Sequence, residues 1–283
     1  MPELPEVETV RRTLAPVVGQ RITGVWDSGM GLHMGRKPPR KALRALSGAT
    51  IRAVHRRGKY LLLDTDRTQT LLVHLGMTGR LLWVAAQAPR VKHTHMILQL
   101  SDGRSLRFVD ARRFGLLDVL EHDSECRALA GLGPDPLVDG VDAKRLQLAA
   151  SAKRSSLKAF ILDQSVLAGL GNIYASEALW RARLHPARPA HDLTVGTART
   201  LAAAIEEVLA NALDNGGTSL RDFVNAEGKG GENADYLWVY GRNGAPCLRC
   251  KTQIERVVLH GRATFYCPKC QARPLATGPK PNR

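Results

Sequence analysis

Two close pairs of cysteine near the end of the chain constrain its fold more than any other feature. Cys247, Cys250, Cys267 and Cys270 read C-x2-C-x16-C-x2-C. That spacing puts each pair on a tight knuckle with a hairpin between them, the pattern of a four-thiolate zinc site. Protein fills all four ligand positions, so one structural ion is expected, not a catalytic one. The fifth cysteine, Cys126, stands alone. Paired thiols that hold metal rather than disulfides suit a reducing compartment.

Residues 241–283 carry nine Lys or Arg and one acid. A small metal-stapled hairpin with that charge suits phosphate contact; a zinc ribbon that binds protein is the alternative. Arg262 lies between the pairs, where a turn can project it into a groove or merely into solvent. The whole chain points the same way. Lys plus Arg number 41 against 26 acids, a net charge of +15. Such a surface attracts polyanions, of which nucleic acid is the commonest; a generally basic proteome is the alternative. No stretch approaches the ~20 apolar residues of a membrane span. The start, MPELPEVETV, has acids and no apolar run, so it is not a signal peptide. A cytoplasmic location without membrane contact is expected.

The length of 283 residues suggests two domains. Residues 6–14 have helical spacing, with Val7, Val10 and Leu14 on one face and Pro5 at the start. Eight short β-like runs follow, at 22–26, 50–54, 60–63, 70–75, 80–84, 95–100, 105–109 and 116–120. Many short strands at this spacing indicate a sandwich or barrel. Two Gly, two Pro and two Asp in 131–139 mark a boundary. Beyond it, 142–149, 156–162, 172–181 and 194–213 read as helices. Residues 216–232, with GKGG, read as a mobile loop, and 240–270 as short strands around the cysteines.

Pro2 follows the initiator Met directly, and a small second residue normally lets that Met be removed. The freed proline is a secondary amine. An α-amino group titrates near ~7.7–8.0 against ~10.4 for lysine, so more of it is unprotonated at neutral pH. A secondary amine that condenses with a sugar aldehyde carbon must give a cationic iminium, an electron sink for eliminating neighbouring phosphates. Glu3 and Glu6 lie beside it, and a carboxylic acid there can protonate a sugar ring oxygen. The same residues also read as an ordinary acidic helix N-terminus.

Motifs across the chain decide between these readings. PELPEVETVRR (2–12), RRGKYLLL (56–63), HLGMTG (74–79), DARRFG (110–115), LDQSVLAGLGNIYASEALW (162–180), GGTSLRDF (216–223), VYGRNGAPC (239–247) and RATFYC (262–267) occur in order. Together they resemble bacterial formamidopyrimidine-DNA glycosylase. The stretches 28–39, 85–89 and the tail after Cys270 fall outside the likeness. The resemblance implies a multi-domain α+β chain: an N-terminal β-sandwich with a catalytic N-terminal helix (1–132), a helical domain with a helix–two-turns–helix element (133–236), a zinc-finger β-hairpin (237–271) and a basic tail (272–283). DNA is expected in the cleft between them.

Carried over by motif, Pro2 is the nucleophile, Glu3 the main proton donor, Glu6 a member of the same catalytic helix, and Lys59 a cation that reaches the lesion. Asn172 and Arg262 pinch the backbone, with His74 a further phosphate ligand. Gly169, Gly171 and Asn172 independently read as a turn into a helix, with Asn172 as its cap. Met77, Arg112 and Phe114 match a void-filling trio. An enzyme that acts on a base takes it out of the stack, and an apolar wedge, an aromatic and an arginine then fill the hole. Met77 and Phe114 as plain core residues is the alternative. Ala111 and Thr78 depart from the family: proline is frequent at the first position, and the second is variable.

The implied activity is a bifunctional glycosylase and abasic-site lyase acting on oxidised purines in duplex DNA. It forms a Schiff base to the terminal proline and proceeds by β,δ-elimination. The enzyme is expected to be a nucleoid-associated bacterial monomer with one structural zinc and no catalytic cofactor. An endonuclease VIII-like enzyme for oxidised pyrimidines and a non-catalytic DNA-binding zinc protein remain rivals. An RNA-binding zinc ribbon would leave the first 130 residues unexplained.

Overall fold

The structure is a computed structural model and describes residues 1–32, 38–121 and 126–272. Almost all of the expected basic tail, and part of the 28–39 stretch, lie outside the described residues. The chain forms two compact units: Met1–Leu132 with Ala210–Tyr236, and Gly133–Leu209 with Leu237–Arg283. No helix among the described residues is long and apolar enough to cross a membrane.

The first unit opens with helix α1 (Leu4–Thr13), two residues earlier than the apolar spacing alone places it. Glu3 is the reason. It takes the N-cap, and a reciprocal capping box with Glu6 satisfies the first amides, while Pro5 tolerates the first turn. Strands follow as β1 (Ile22–Asp27), β2 (Ile51–Arg57), β3 (Tyr60–Thr65), β4 (Gln69–His74), β5 (Arg80–Ala85), β6 (Thr94–Leu100), β7 (Arg104–Val109) and β8 (Leu116–Glu121). All eight correspond to the runs read from the sequence. They pair antiparallel into two four-stranded sheets, β1-β6-β7-β5 and β2-β3-β4-β8. Leu61 and Leu63 alternate with half-exposed neighbours along β3, the period-two pattern of a strand with one buried face. They share one core with Val73, Leu81, Leu98 and Phe108 from both sheets, and with Val7, Val10 and Leu14 of the helical segment. The unit is therefore a sandwich, with α1 fixed to its core.

Two short helices were not legible: α2 (Arg40–Ala45) and α3 (Arg127–Ala130). Six residues are too few for a periodic signal. Tertiary contacts hold α2: Leu43 is fully buried, and Arg40 Nε lies 2.6 Å from Asp27 Oδ1.

Residues 216–232 are tied to this unit at both ends. At the neck, Asn233 N donates to Gly217 O and Glu232 N to Asn215 O. At the far end, Ala226 is fully buried; its N–H donates to Thr13 Oγ1, and its carbonyl accepts from Trp83 N.

The second unit holds α4 (Ala143–Ser151), α5 (Leu157–Leu162), α6 (Asn172–Arg181), the first part of α7 (Val195–Asp214) and the hairpin β9 (Glu255–Leu259) and β10 (Arg262–Tyr266). Asp142 caps α4 by accepting from Lys144 N and Arg145 N, and Ser156 caps α5 through Ala159 N. At α6 the expected cap is corrected. Gly171 is the N-cap, and Asn172 is the first helical residue. Its amide is thereby released for another partner.

Glu177, in the middle of α6, is buried. It accepts the backbone N–H groups of Trp238, Val239 and Tyr240 at 2.7, 2.9 and 2.7 Å. Glu177→Ala strands three backbone donors, that of Val239 buried and the other two partly so, and is expected to destabilise this unit by about 3 kcal/mol, at 1–3 kcal/mol for each unmet group and allowing for relaxation. Denaturant unfolding checks this; a change within about 0.5 kcal/mol would show that the three amides find water.

Candidate active site and DNA-contact residues

Pro2 is buried at the head of α1, and Glu3 and Glu6 are nearly inaccessible beside it. Both Glu6 oxygens accept backbone N–H groups. Oε2 takes Glu3 N at 2.7 Å, and Oε1 takes Thr218 N at 2.8 Å. The second bond depends on Gly217. Its φ is +84°, and an added Cβ would sit 3.1 Å from Glu6 Oε1. Glu6 thus joins the helix head to the neck of the 216–232 loop.

Lys59 lies just beyond the β2–β3 turn, which passes through Gly58 at φ 56°, and it is buried. Arg56 fixes this turn: Nη1 donates to Gly58 O at 3.0 Å, while Nε donates to Glu8 Oε2 at 3.1 Å. Glu8 also receives Arg11 and Arg12. Burial pushes the Glu8 carboxyl up, but the hydrogen bonds from Arg11, Arg12 and Arg56 outweigh it and leave the group below its usual range. Helix α1 and the Lys59 turn are therefore clamped through one ion pair. Sequence reading quoted Arg56 within a motif but gave it no role, because an arginine beside a turn looks solvated until its partner across the fold is known.

His74 ends β4, paired with Tyr60, and the two rings lie 4.8 Å apart. Its Nδ1 accepts from Gly76 N at 3.1 Å, so the neutral ring carries its proton on Nε2. The trio expected to fill a void is not in the core. Met77 and Phe114 are 40% and 41% exposed. The Arg112 guanidinium sits 4.6 Å from the centre of the Phe114 ring.

The loops that carry the trio touch. A Cβ on Gly76, where φ is +62°, would lie 2.5 Å from the Phe114 and Gly115 backbone. Asp110, fully buried, binds them together. Oδ1 accepts from Thr78 Oγ1 at 2.5 Å and from Arg112 N at 3.2 Å, and Oδ2 accepts from Gly115 N at 2.8 Å. Thr78 had been set aside as a variable position, and Asp110 was unassigned. Asp ahead of an exposed turn was the available signal, since its side chain commonly bonds backbone two residues on.

In the second unit, Asn172 and Arg262 are brought together through one carbonyl. Asn172 Nδ2 donates to Ala263 O at 2.9 Å, and Lys158 Nζ reaches the same oxygen at 3.1 Å. Asn172 Oδ1 is buried and has no hydrogen-bond partner among the described residues. Arg262 is exposed and opens β10, after a two-residue turn through His260 (φ 49°) and Gly261 (φ 72°). Positive φ at both central positions matches the twist of a tight hairpin. Arg262 follows that turn directly, with its side chain exposed.

The four paired cysteines bring their sulfurs within 4.8 Å of one another, with Cys247–Cys270 at 4.0 Å and Cys250–Cys267 at 3.4 Å. Zinc at about 2.3 Å from each thiolate needs sulfurs about 3.8 Å apart, so the set fits tetrahedral zinc. As thiols the four do not ionise alike: hydrogen bonds from Thr252, then from Cys267 and Cys270, pull Cys250 down to about 6. Burial, then hydrogen bonding with Cys250 and Cys267, pushes Cys270 up to about 12. A divalent cation among them removes that penalty.

A sandwich with a proline buried at the head of its first helix, a helical unit and a four-thiolate hairpin define a class of nucleic-acid-processing zinc protein. Comparison with known proteins narrows it. The formamidopyrimidine-DNA glycosylase N-terminal domain matches residues 1–117, and the H2TH domain of the same enzymes matches 132–224. The zinc finger found in FPG and IleRS matches 244–273. The formamidopyrimidine-DNA glycosylase of Alkalilimnicola ehrlichii is 46% identical, covering 96% of this chain and 100% of that protein. The enzyme of the same name from Herpetosiphon aurantiacus is 44% identical over the same shares. A solved complex between the Lactococcus lactis enzyme and DNA containing an abasic site superimposes with a TM-score of 0.86 at 33% identity, covering 96% of this chain and 100% of that one. The chain belongs to the formamidopyrimidine-DNA glycosylase family.

Proposed function

We propose that this protein is a base-excision repair glycosylase and abasic-site lyase that acts on oxidised purines in duplex DNA, in the bacterial cytoplasm at the nucleoid. The observation that carries the reading is Pro2, buried at the head of α1, where the fold itself holds the carboxylates of Glu3 and Glu6 in place. Once the initiator Met is removed, its imino nitrogen attacks the sugar C1′. The bond from C1′ to the base breaks, and the base leaves with that electron pair and gains a proton. Glu3 protonates the ring oxygen as the sugar opens. The resulting iminium draws electrons. Loss of a C2′ proton expels the 3′ phosphate, and a second elimination expels the 5′ phosphate.

Lys59 contributes a positive charge at the lesion. His74, Asn172 and Arg262 supply phosphate contacts, and Met77, Arg112 and Phe114 fill the space left by the extruded base. The exposure of Met77 and Phe114 supports that role, because a wedge must be available to DNA. Cys247, Cys250, Cys267 and Cys270 hold one structural zinc that maintains the hairpin.

Borohydride reduction with duplex containing 8-oxoguanine opposite cytosine tests the reading. A covalent adduct at the protein's N-terminal peptide is expected, together with excision faster than that of thymine glycol. Absence of an adduct favours a DNA-binding protein without chemistry, and faster release of thymine glycol favours a pyrimidine enzyme.

A further inference from the structure

The zinc hairpin is gripped at both ends of a single helix, and one of those grips falls on a metal ligand. Trp180 lies near the C-terminal end of α6 and is almost fully buried. Its indole Nε1–H donates to Cys247 Sγ at 3.4 Å. The ring is held from two sides. Trp238 stacks on it with centroids 5.2 Å apart and planes at 30°. The Arg249 guanidinium lies 4.2 Å from its centre, and Arg249 Nη1 donates to the Trp180 carbonyl at 3.3 Å. Cys247 itself is fully buried.

A zinc ion with four thiolates carries a net double negative charge. Burying that charge costs free energy unless N–H donors reach the sulfurs. Trp has only a donor to offer, so its single N–H goes to whatever acceptor the packing provides. Here the packing provides a ligand sulfur. Eight residues earlier on the same helix, Asn172 holds Ala263 O, next to Arg262. The helix that carries a proposed phosphate contact at its head thus carries a donor to the metal centre at its tail.

We infer that Trp180 is a positioning residue for the zinc centre: its indole N–H bonds the Cys247 thiolate, retains the metal, and ties metal occupancy to the helix that presents Asn172. This rests on the reading of the four cysteines as a zinc site.

Trp180→Phe keeps an aromatic ring against Trp238 and Arg249 but deletes the N–H. Zinc affinity is measured on the intact, zinc-loaded protein by competition with a metallochromic chelator. The expected result is an affinity at least tenfold weaker, with circular dichroism unchanged at saturating zinc, as hydrogen-bond donors to metal ligands typically contribute 10–100-fold. Trp238→Phe is the control. It trims the stack and leaves the indole bond to sulfur, so affinity should stay within twofold. Equal weakening in both variants would assign the effect to packing and overturn the inference. Trp180→Phe within twofold of wild type would overturn it as well. Wild-type protein that carries no zinc by elemental analysis would instead remove the zinc reading, and the inference with it.

Discussion

Pro2→Gly is expected to slow single-turnover excision of 8-oxoguanine at least 100-fold and to reduce the borohydride-trapped complex to a similar degree. Glycine is small enough for the initiator Met still to be removed, so the terminus stays free. What changes is the amine. A primary amine forms an imine that must gain a proton before it withdraws electrons, whereas proline's iminium is cationic from the moment it forms. A hundredfold loss corresponds to about 2.7 kcal/mol of transition-state stabilisation. The fold should hardly notice, because the helix is capped by Glu3 and Glu6 rather than by Pro2. Unchanged thermal stability with lost adduct is therefore the expected pair of results. Undiminished excision by Pro2→Gly, or by protein acetylated at that terminus, would remove the proposed chemistry.

Zinc removal is expected to have the second large effect. Structural zinc in small modules contributes about 10–16 kcal/mol of apparent binding free energy, much of it as folding energy. Residues 241–272 have only a small core of their own. The local core consists of Val239, Ile254, Phe265 and the cysteines themselves, packed on Trp180. Chelation, or Cys267→Ser, should melt β9 and β10 and break the bonds by which Asn172 and Lys158 hold Ala263 O, next to Arg262. Affinity for abasic-site duplex should then fall at least 100-fold at physiological salt, since base extrusion and backbone grip act together. The first unit, which has its own core, should keep its circular dichroism. DNA binding that survives complete metal removal would show that the hairpin does not contribute to it.

The parts visible in the sequence were those with a local signal. The short β-like run at 60–63 announced a strand, the spacing of Cys247 to Cys270 announced a metal, and Asp142 and Ser156 announced helix starts. The eight strands of the sandwich were legible for this reason, and the order of motifs supplied the family. What sequence could not give was anything decided by a distant partner. Arg56 acquires meaning only from Glu8, 48 positions away. Thr78 matters because Asp110 folds back onto it, 32 positions on. Asn172 was assigned the local duty of a cap, and the structure instead gives that place to Gly171 and sends the amide to Ala263. The helix α2 was silent because buried Leu43 and a bond to Asp27, not periodicity, hold it in place.

The seat of Thr218 on Glu6 has a consequence for how such an enzyme evolves. The 216–232 segment and the helix proposed to bear the reactive amine share one carboxylate, so neither can drift alone. A substitution that widens lesion choice by shifting residue 217 or 218 also tugs on the nucleophile. Selection for new substrates should therefore favour changes farther out, around 220–222, where the chain is exposed and does not touch that shared anchor.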